Sequence, residues 1–321
     1  MDPNAAKLLY LCWKGGPHPA HEHFVTANAD VVAVRPFNME MVKYLAGRKY
    51  DVAVADGFGT LPIGWALKKI GLISNLIFVT TSHAFVDHRQ IFKLMLKDVD
   101  GVIATSSLMR SLVKDLIGYK GPIVICFPIP NITDFLEINP SINSMKACFI
   151  GTPKFHKGVD LLPKIAHMLY EKTKMSKVYV IGHVQHYESN QRREIEFFGH
   201  VTRKKLLKIV SECSVYVHPA RIEAFGASVA EAMAAGLIPV VTRKTGAKDL
   251  VELLNPDLVV REDVDAISRK IIEVWSWKPE KRAKLSNEAK NVIQDLANEK
   301  RNSFISSLKA ILNKRAELQV D

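Results

Sequence analysis

Residues 218–236 read His218-Pro-Ala-Arg-Ile-Glu-Ala-Phe-Gly-Ala-Ser-Val-Ala-Glu-Ala-Met-Ala-Ala-Gly236. The apolar run at 215–218 leads in as a strand, a loop follows, and an alanine-rich helix over 228–235 stops at Gly236, a residue favoured just past a helix end. Glu223 falls in the loop and Glu231 about one turn inside the helix. A helix N-terminus offers free backbone N–H groups and the positive end of a dipole, which suits a diphosphate. Eight helical residues span roughly 12 Å, comparable to the reach from a hexose across a diphosphate to a ribose. A carboxylate accepts hydrogen bonds from vicinal hydroxyls, so two of them flanking a phosphate seat would fit a sugar nucleotide. Two surface glutamates on an amphipathic helix would give the same spacing, and the spacing leaves both readings open.

Around this stretch, short apolar runs alternate with amphipathic segments, the pattern of parallel sheets with crossover helices. In the first half strands are expected at 8–12, 31–34, 52–55, 76–80, 102–104 and 123–127, with helices at 38–46, 61–70, 90–96 and 108–116. Pro128, Pro130 and Pro140, with Asn131 and Asn143, then mark a linker. The rhythm resumes with strands at 146–150, 178–181, 196–198, 215–218, 238–242 and 258–260. Helices are expected at 159–170, 203–211, 228–235 and 248–254, and from 264 to the end. The expectation is an α/β chain of two Rossmann-like, doubly wound domains facing across a cleft, with ligands at the carboxyl ends of the strands. Their bounds are 1–135 and 146–298, joined by a linker at 136–145, with a last helix near 299–321 packing back on the first domain.

In this setting the 218–236 stretch resembles the E-x7-E motif of family 4 glycosyltransferases, the retaining GT-B enzymes of glycosyl transferases group 1. The following Gly236-Leu-Ile-Pro-Val-Val-Thr242 and Thr245-Gly-Ala-Lys-Asp-Leu-Val251 are similar to that family's next strand and loop, with Ala247 and Asp249 where it usually has glycine and glutamate. Phe198-Gly199-His200-Val201 resembles its nucleobase-contacting turn. The resemblance implies that Glu223 meets donor-sugar hydroxyls, that Glu231 holds the ribose, and that the amides of Ala224, Phe225 and Gly226 approach the donor.

A second motif, Phe149-Ile-Gly-Thr-Pro-Lys-Phe-His-Lys-Gly-Val-Asp-Leu-Leu162, looks like the first strand and loop of the same nucleotide-binding domain. A cation in such a loop neutralises charge developing on a leaving diphosphate, and Lys157 matches the family's lysine. Thr152 stands where the family places an arginine; Lys154 is the nearest replacement. Arg221 either joins the phosphate site or pairs with a carboxylate.

In the first half, Trp13-Lys14-Gly15-Gly16-Pro17-His18 occupies the place of the family's glycine-rich loop, where glycine lets backbone approach a ligand. Val79-Thr-Thr-Ser-His83-Ala-Phe85 resembles its acceptor-side segment, which puts His83 near the reacting carbon. His18, His21 and His23 fit no standard metal spacing, and no metal or other cofactor is expected. Asp56-Gly-Phe-Gly-Thr-Leu-Pro-Ile-Gly64 departs from a dinucleotide fingerprint in its glycine spacing. Asn131-Ile-Thr133 is a formal glycosylation acceptor, without meaning in a cytosolic chain.

The net charge of +11 is uneven: residues 1–140 carry 14 basic against 12 acidic side chains, leaving 30 against 21 for the rest. That excess suits a phosphorylated ligand or an anionic membrane, but also a solvated face over 278–315. No run of 18 apolar residues spans a bilayer, no signal peptide opens the chain, and four scattered cysteines read as reduced thiols. The expected location is the cytoplasm, with peripheral membrane contact open and no nucleic acid partner. The expected activity is retaining transfer from a UDP- or GDP-sugar to an acceptor hydroxyl on a sugar, a lipid-linked molecule or a protein. The alternatives are a sugar-nucleotide epimerase or hydrolase on the same fold, and a non-catalytic partner of an active transferase.

Overall fold

The computed structural model describes residues 6–26, 28–35, 43–182 and 192–318, except the side chains of Lys14, Phe85 and residues 315–318. Two compact units result, one of residues 1–128 with the chain from Glu299 onward, the other Ile129–Asn298.

The first unit is a parallel sheet of β1 (Leu8–Lys14), β2 (Ala29–Arg35), β3 (Tyr50–Asp56), β4 (Ile73–Val79), β5 (Gly101–Ala104) and β6 (Ile123–Ile125). Their order is β2-β1-β3-β4-β5-β6, so the direction of winding reverses between β1 and β3. The crossovers include α1 (Leu61–Lys69), α2 (Arg89–Leu96) and α3 (Ser107–Ser111), which widens into a π-helical turn over Leu112–Leu116. Ser106 sets the start of α3, its hydroxyl accepting from the Met109 amide at 3.2 Å. Of the helix expected at 38–46, residues 38–42 lie outside the described residues, and 43–45 are helical. The last strand stops two residues short of its expected end, at 125; the Cys126 amide still donates to the carbonyl of Ala104, the last residue of β5, at 2.9 Å.

The second unit begins with α4 (Thr133–Leu136) and holds β7 (Lys146–Ile150), α5 (Leu162–Thr173), β8 (Lys177–Ile181), β9 (Ile195–Phe198), α6 (Arg203–Ser211) and β10 (Val215–His218). It continues with α7 (Ala227–Ala234), β11 (Ile238–Thr242), α8 (Lys248–Leu254), β12 (Val259–Val260), α9 (Val264–Ser276) and α10 (Pro279–Leu318). The sheet order β12-β11-β10-β7-β8-β9 is, counted from β7, the 3-2-1-4-5-6 order of a dinucleotide-binding fold. Its switch point lies between β7 and β10.

The division between the units falls after Pro128 rather than at the expected 135, because α4 packs against α7 and buries Phe135 completely. Lys290 donates to the Leu136 and Ile138 carbonyls, so the opening of the expected linker at 136–145 is pinned to the second unit. Toward its end α10 contributes Phe304, Leu308, Ile311 and Leu312 to the core of the first unit, beside Leu8, Tyr10, Val52 and Ile103. Gly101 opens β5 beneath this helix, and a Cβ there would overlap the Ile311 side chain.

Candidate functional site

The switch point of the second unit brings together the loop after β7 and the loop after β10. Parallel strands end their backbone pairing at this edge, which leaves side chains from both loops free to converge. The amides of Arg221 and Ile222 donate to the His156 carbonyl at 2.7 and 3.2 Å. Gly158 sits in the left-handed region at φ 69°, and a Cβ on it would overlap the Pro219 carbonyl oxygen. Only glycine permits that approach.

Across this seam the Lys157 ammonium hydrogen-bonds to Glu223 Oε2. Their side chains are 19 and 14 % exposed, so the pair is poorly solvated and its attraction little screened. Burial, the largest single influence, would raise the Glu223 carboxyl, but Lys157 together with His218 and His156 more than offsets it and holds the group below the ordinary glutamate value. The loop after β11 fixes the backbone on the other side: the Glu223 amide donates to Lys244 O at 2.9 Å, and Gly246 N returns a bond to Glu223 O at 2.9 Å. Ala247 N donates to Phe225 O, and Thr242 Oγ1 to Ala220 O at 2.6 Å.

Beneath the pair lies His218, the last residue of β10 and fully buried, with Nε2 3.9 Å from Glu223 Oε2. Desolvation pushes its pKa down to about 4, so the ring is neutral near pH 7. Its Nδ1 meets the Tyr216 hydroxyl at 3.1 Å, which in turn meets Ser228 Oγ at 2.8 Å on α7. This buried chain ties strand, carboxylate loop and helix into one unit. Neither His218 nor Tyr216 was singled out from the sequence, because a strand buried on both faces shows no polar alternation to mark them.

Gly226, at φ 96°, precedes α7 and supplies no side-chain cap. The amides that open the helix are thereby left without a side-chain acceptor at its positive end. Glu231 lies on the first turns of α7, and its carboxyl accepts no hydrogen bond from the described residues, although its backbone carbonyl accepts from the Ala235 amide at 3.0 Å. Burial raises its carboxyl to about 7, against a weaker opposing pull from Arg203. A carboxyl held in that state gains from hydroxyl donors, since they favour its ionised form.

Of the two fates expected for Arg221, the structure shows the second. Its guanidinium grips Asp160 through two bonds of 2.7 and 2.8 Å, donates to Phe155 O at 2.7 Å and lies 3.9 Å over the Phe155 ring. The Arg221 hydrogen bonds hold the Asp160 carboxyl below its usual range. Arg221 therefore fastens the two loops. Thr152 and Lys154 are exposed on the β7 loop, where the Lys154 amide donates to Thr152 O at 2.9 Å. Gly199, His200 and Val201 follow β9 and lead into α6, whose start Thr202 caps.

Of the residues singled out in the first unit, Gly15 and Gly16 belong to a constellation of their own. Gly15 and Gly16 follow β1 at the β1/β3 switch point and line a cavity of about 480 Å3 with Trp13, His18, His21, Asp56 and Thr81. Asp56 Oδ2 accepts from the Tyr10 hydroxyl at 2.7 Å and lies 3.1 Å from His21 Nδ1. His83 starts the short turn His83–Val86, capped by Ser82, and is not among the residues lining this cavity. Among the described residues, no group of three or more His, Cys, Asp or Glu side chains is arranged to hold a metal ion.

Comparison with solved structures shows the same fold. Sucrose-phosphate synthase from Thermosynechococcus elongatus superposes with a TM-score of 0.72 at 15 % identity, over 98 % of this chain and 100 % of that one. HepE of Anabaena, in complex with UDP and glucose, gives 0.70 at 15 % identity over 97 and 100 % of the two chains. Trehalose-6-phosphate synthase of E. coli, bound with UDP-2-fluoro glucose, gives 0.73 at 12 % identity over 94 and 99 %. No curated protein matches the sequence. Residues 136–292 match the family of glycosyl transferases group 1, which covers both converging loops, α7 and Glu231. With that family's domain set in an α/β GT-B fold, the chain is a glycosyltransferase.

Proposed function

We propose that the chain moves a sugar from a nucleotide-sugar donor to an acceptor hydroxyl, with retention of anomeric configuration and without a metal. The observation that carries this reading is the largely buried Lys157–Glu223 pair beside the uncapped start of α7, with the Glu231 carboxyl uncommitted on the same helix. In the reaction, the α7 amides and Lys157 neutralise the diphosphate as it leaves, Glu223 orients the sugar hydroxyls, and Glu231 takes the ribose hydroxyls. The Gly199–Val201 turn borders the base. Gly15 and Gly16 after β1, and His83 after β4, border the reacting centre. A UDP-sugar is the favoured donor, because HepE and the trehalose-6-phosphate synthase were each obtained with a uridine diphosphate compound; a GDP-sugar is the second choice.

The test is thermal denaturation with UDP-, GDP- and ADP-sugars, using the free nucleotides as controls. A ligand at 100 times its Kd stabilises the fold by roughly 2.7 kcal/mol. One base should shift the transition, and Glu231→Ala should abolish the shift. If no sugar nucleotide binds, the donor reading is wrong. Proton NMR of the product reads the anomeric configuration, and inversion would overturn retention. Full turnover without any acceptor would instead identify a hydrolase or epimerase.

A further inference from the structure

The first unit carries a basic surface that the donor chemistry does not use. The loop 117–122 precedes β6, and 97–100 precedes β5, so both lie at the amino ends of the parallel strands. The Gly15–Gly16 loop lies at the opposite, carboxyl, edge of the same sheet. Two hollows of about 460 and 660 Å3 meet here, sharing Gly118, Tyr119, Lys120 and Gly121 as a common wall. Lys93, Lys97, Arg110, Lys114, Lys120 and Lys314 line them, all exposed, and none forms an ion pair with a described residue. Among the described residues Asp115 is the one acidic side chain lining either hollow. Six like charges gathered around a single carboxylate repel one another, so the arrangement gains most from an external anion.

Beside the cations, α2 leaves two large aliphatic side chains in water. Phe92, Met95 and Leu96 are buried against the sheet, whereas Ile91 and Leu94 are 61 and 58 % exposed. At 100° per residue Lys93 and Lys97 occupy one flank of the exposed face and Ile91 and Leu94 the other, with Lys97 and Leu94 adjacent at i, i+3. A free phosphate would use the lysines and leave the aliphatic flank in water. A bilayer uses both, with phosphate headgroups at the cations and the aliphatic tips in the acyl boundary.

We propose that this face of the first unit, α2 with the loop 117–122, binds an anionic lipid surface. The inference does not rest on the donor reading, and it holds whether or not the acceptor is a lipid. The full chain should sediment with vesicles of phosphatidylcholine mixed with phosphatidylglycerol, not with phosphatidylcholine alone, and binding should weaken as salt is raised. The variant carrying Lys93→Glu, Lys97→Glu, Lys114→Glu and Lys120→Glu should bind at least about tenfold more weakly. Ile91→Ser with Leu94→Ser should also weaken binding, and Asp115→Asn should strengthen it, a gain that misfolding does not mimic. Circular-dichroism melting verifies that each variant is folded.

Absence of binding to the anionic vesicles overturns the proposal, as does binding that the charge variant retains. So does complete competition by soluble glycerol phosphate together with an unaffected Ile91→Ser, Leu94→Ser variant, which would mark an anion site without a membrane role. Preference for duplex RNA over vesicles would overturn it as well.

Discussion

Lys157 and Glu223 are 66 positions apart, and their contact gives each a defined chemical state. Replacing Lys157 by Met leaves a largely buried carboxylate without its cation, so the Glu223 carboxyl rises. It also removes the charge proposed to meet the leaving diphosphate. We expect kcat to fall by roughly 100- to 1000-fold, measured with the donor identified by thermal denaturation. Glu231 yields a prediction of opposite character. Its folded pKa of about 7 lies above the ordinary glutamate value of 4.5, so the folded chain keeps a proton that the unfolded chain has lost. Stability from this group is full below the unfolded value and declines as pH rises through the folded one, by on the order of 3 kcal/mol in all. Glu231→Gln should therefore melt like the parent at pH 4 and at higher temperature than the parent at pH 8, while losing donor affinity. Equal melting at both values would show that the carboxyl is not desolvated. The sequence marked Glu223, Glu231 and Lys157 because each sits in a motif of local spacing. It gave no sign of His218, whose importance comes from what is stacked above it.

At the scale of elements, the junction of the β7 and β10 loops depends on Gly158. A non-glycine residue in the left-handed region costs about 1–2 kcal/mol, before the overlap with the Pro219 carbonyl is counted. Gly158→Ala should lower the denaturant midpoint and, by separating the loops, reduce kcat more than a surface change of equal destabilisation. Unchanged activity would mean that the seam does not position Lys157. Asp160→Asn, which weakens the grip on Arg221, should act in the same direction but more mildly. Helix α7 was legible to within a residue, since Gly226 and Gly236 punctuate an alanine run. The segment after Pro128 was not. Pro128, Pro130 and Pro140 with Asn131 and Asn143 announce irregular chain, but composition cannot say that Phe135 will find a pocket beside α7.

Across the whole molecule, α10 begins in the second unit and finishes among the strands of the first. Its Phe304 ring stacks on Phe24 at 5.0 Å between centroids, and Ile311 fills the space that Gly101 leaves open. Ile311→Ala should cost about 2–5 kcal/mol, the usual range for a fully buried aliphatic side chain. Hydrogen exchange should locate the loss in β1, β5 and their neighbours, with the β7–β12 sheet protected as before. Uniform loss in both sheets would show instead that the two units unfold as one. No helix among the described residues is long and apolar enough to cross a membrane.

The α/β class, the presence of two winding units and the family of the second could be read from the chain alone. Strand-length apolar runs, helix stops and the two loop motifs are each written in fewer than twenty consecutive residues, where local backbone preference and spacing speak directly. The strand order, the partner of Arg221, the buried ring under Glu223 and the cations gathered around Gly118–Gly121 were visible only in the folded chain. Each depends on which loops a parallel sheet brings to the same edge. That is a matter of long-range packing, and no local pattern encodes it.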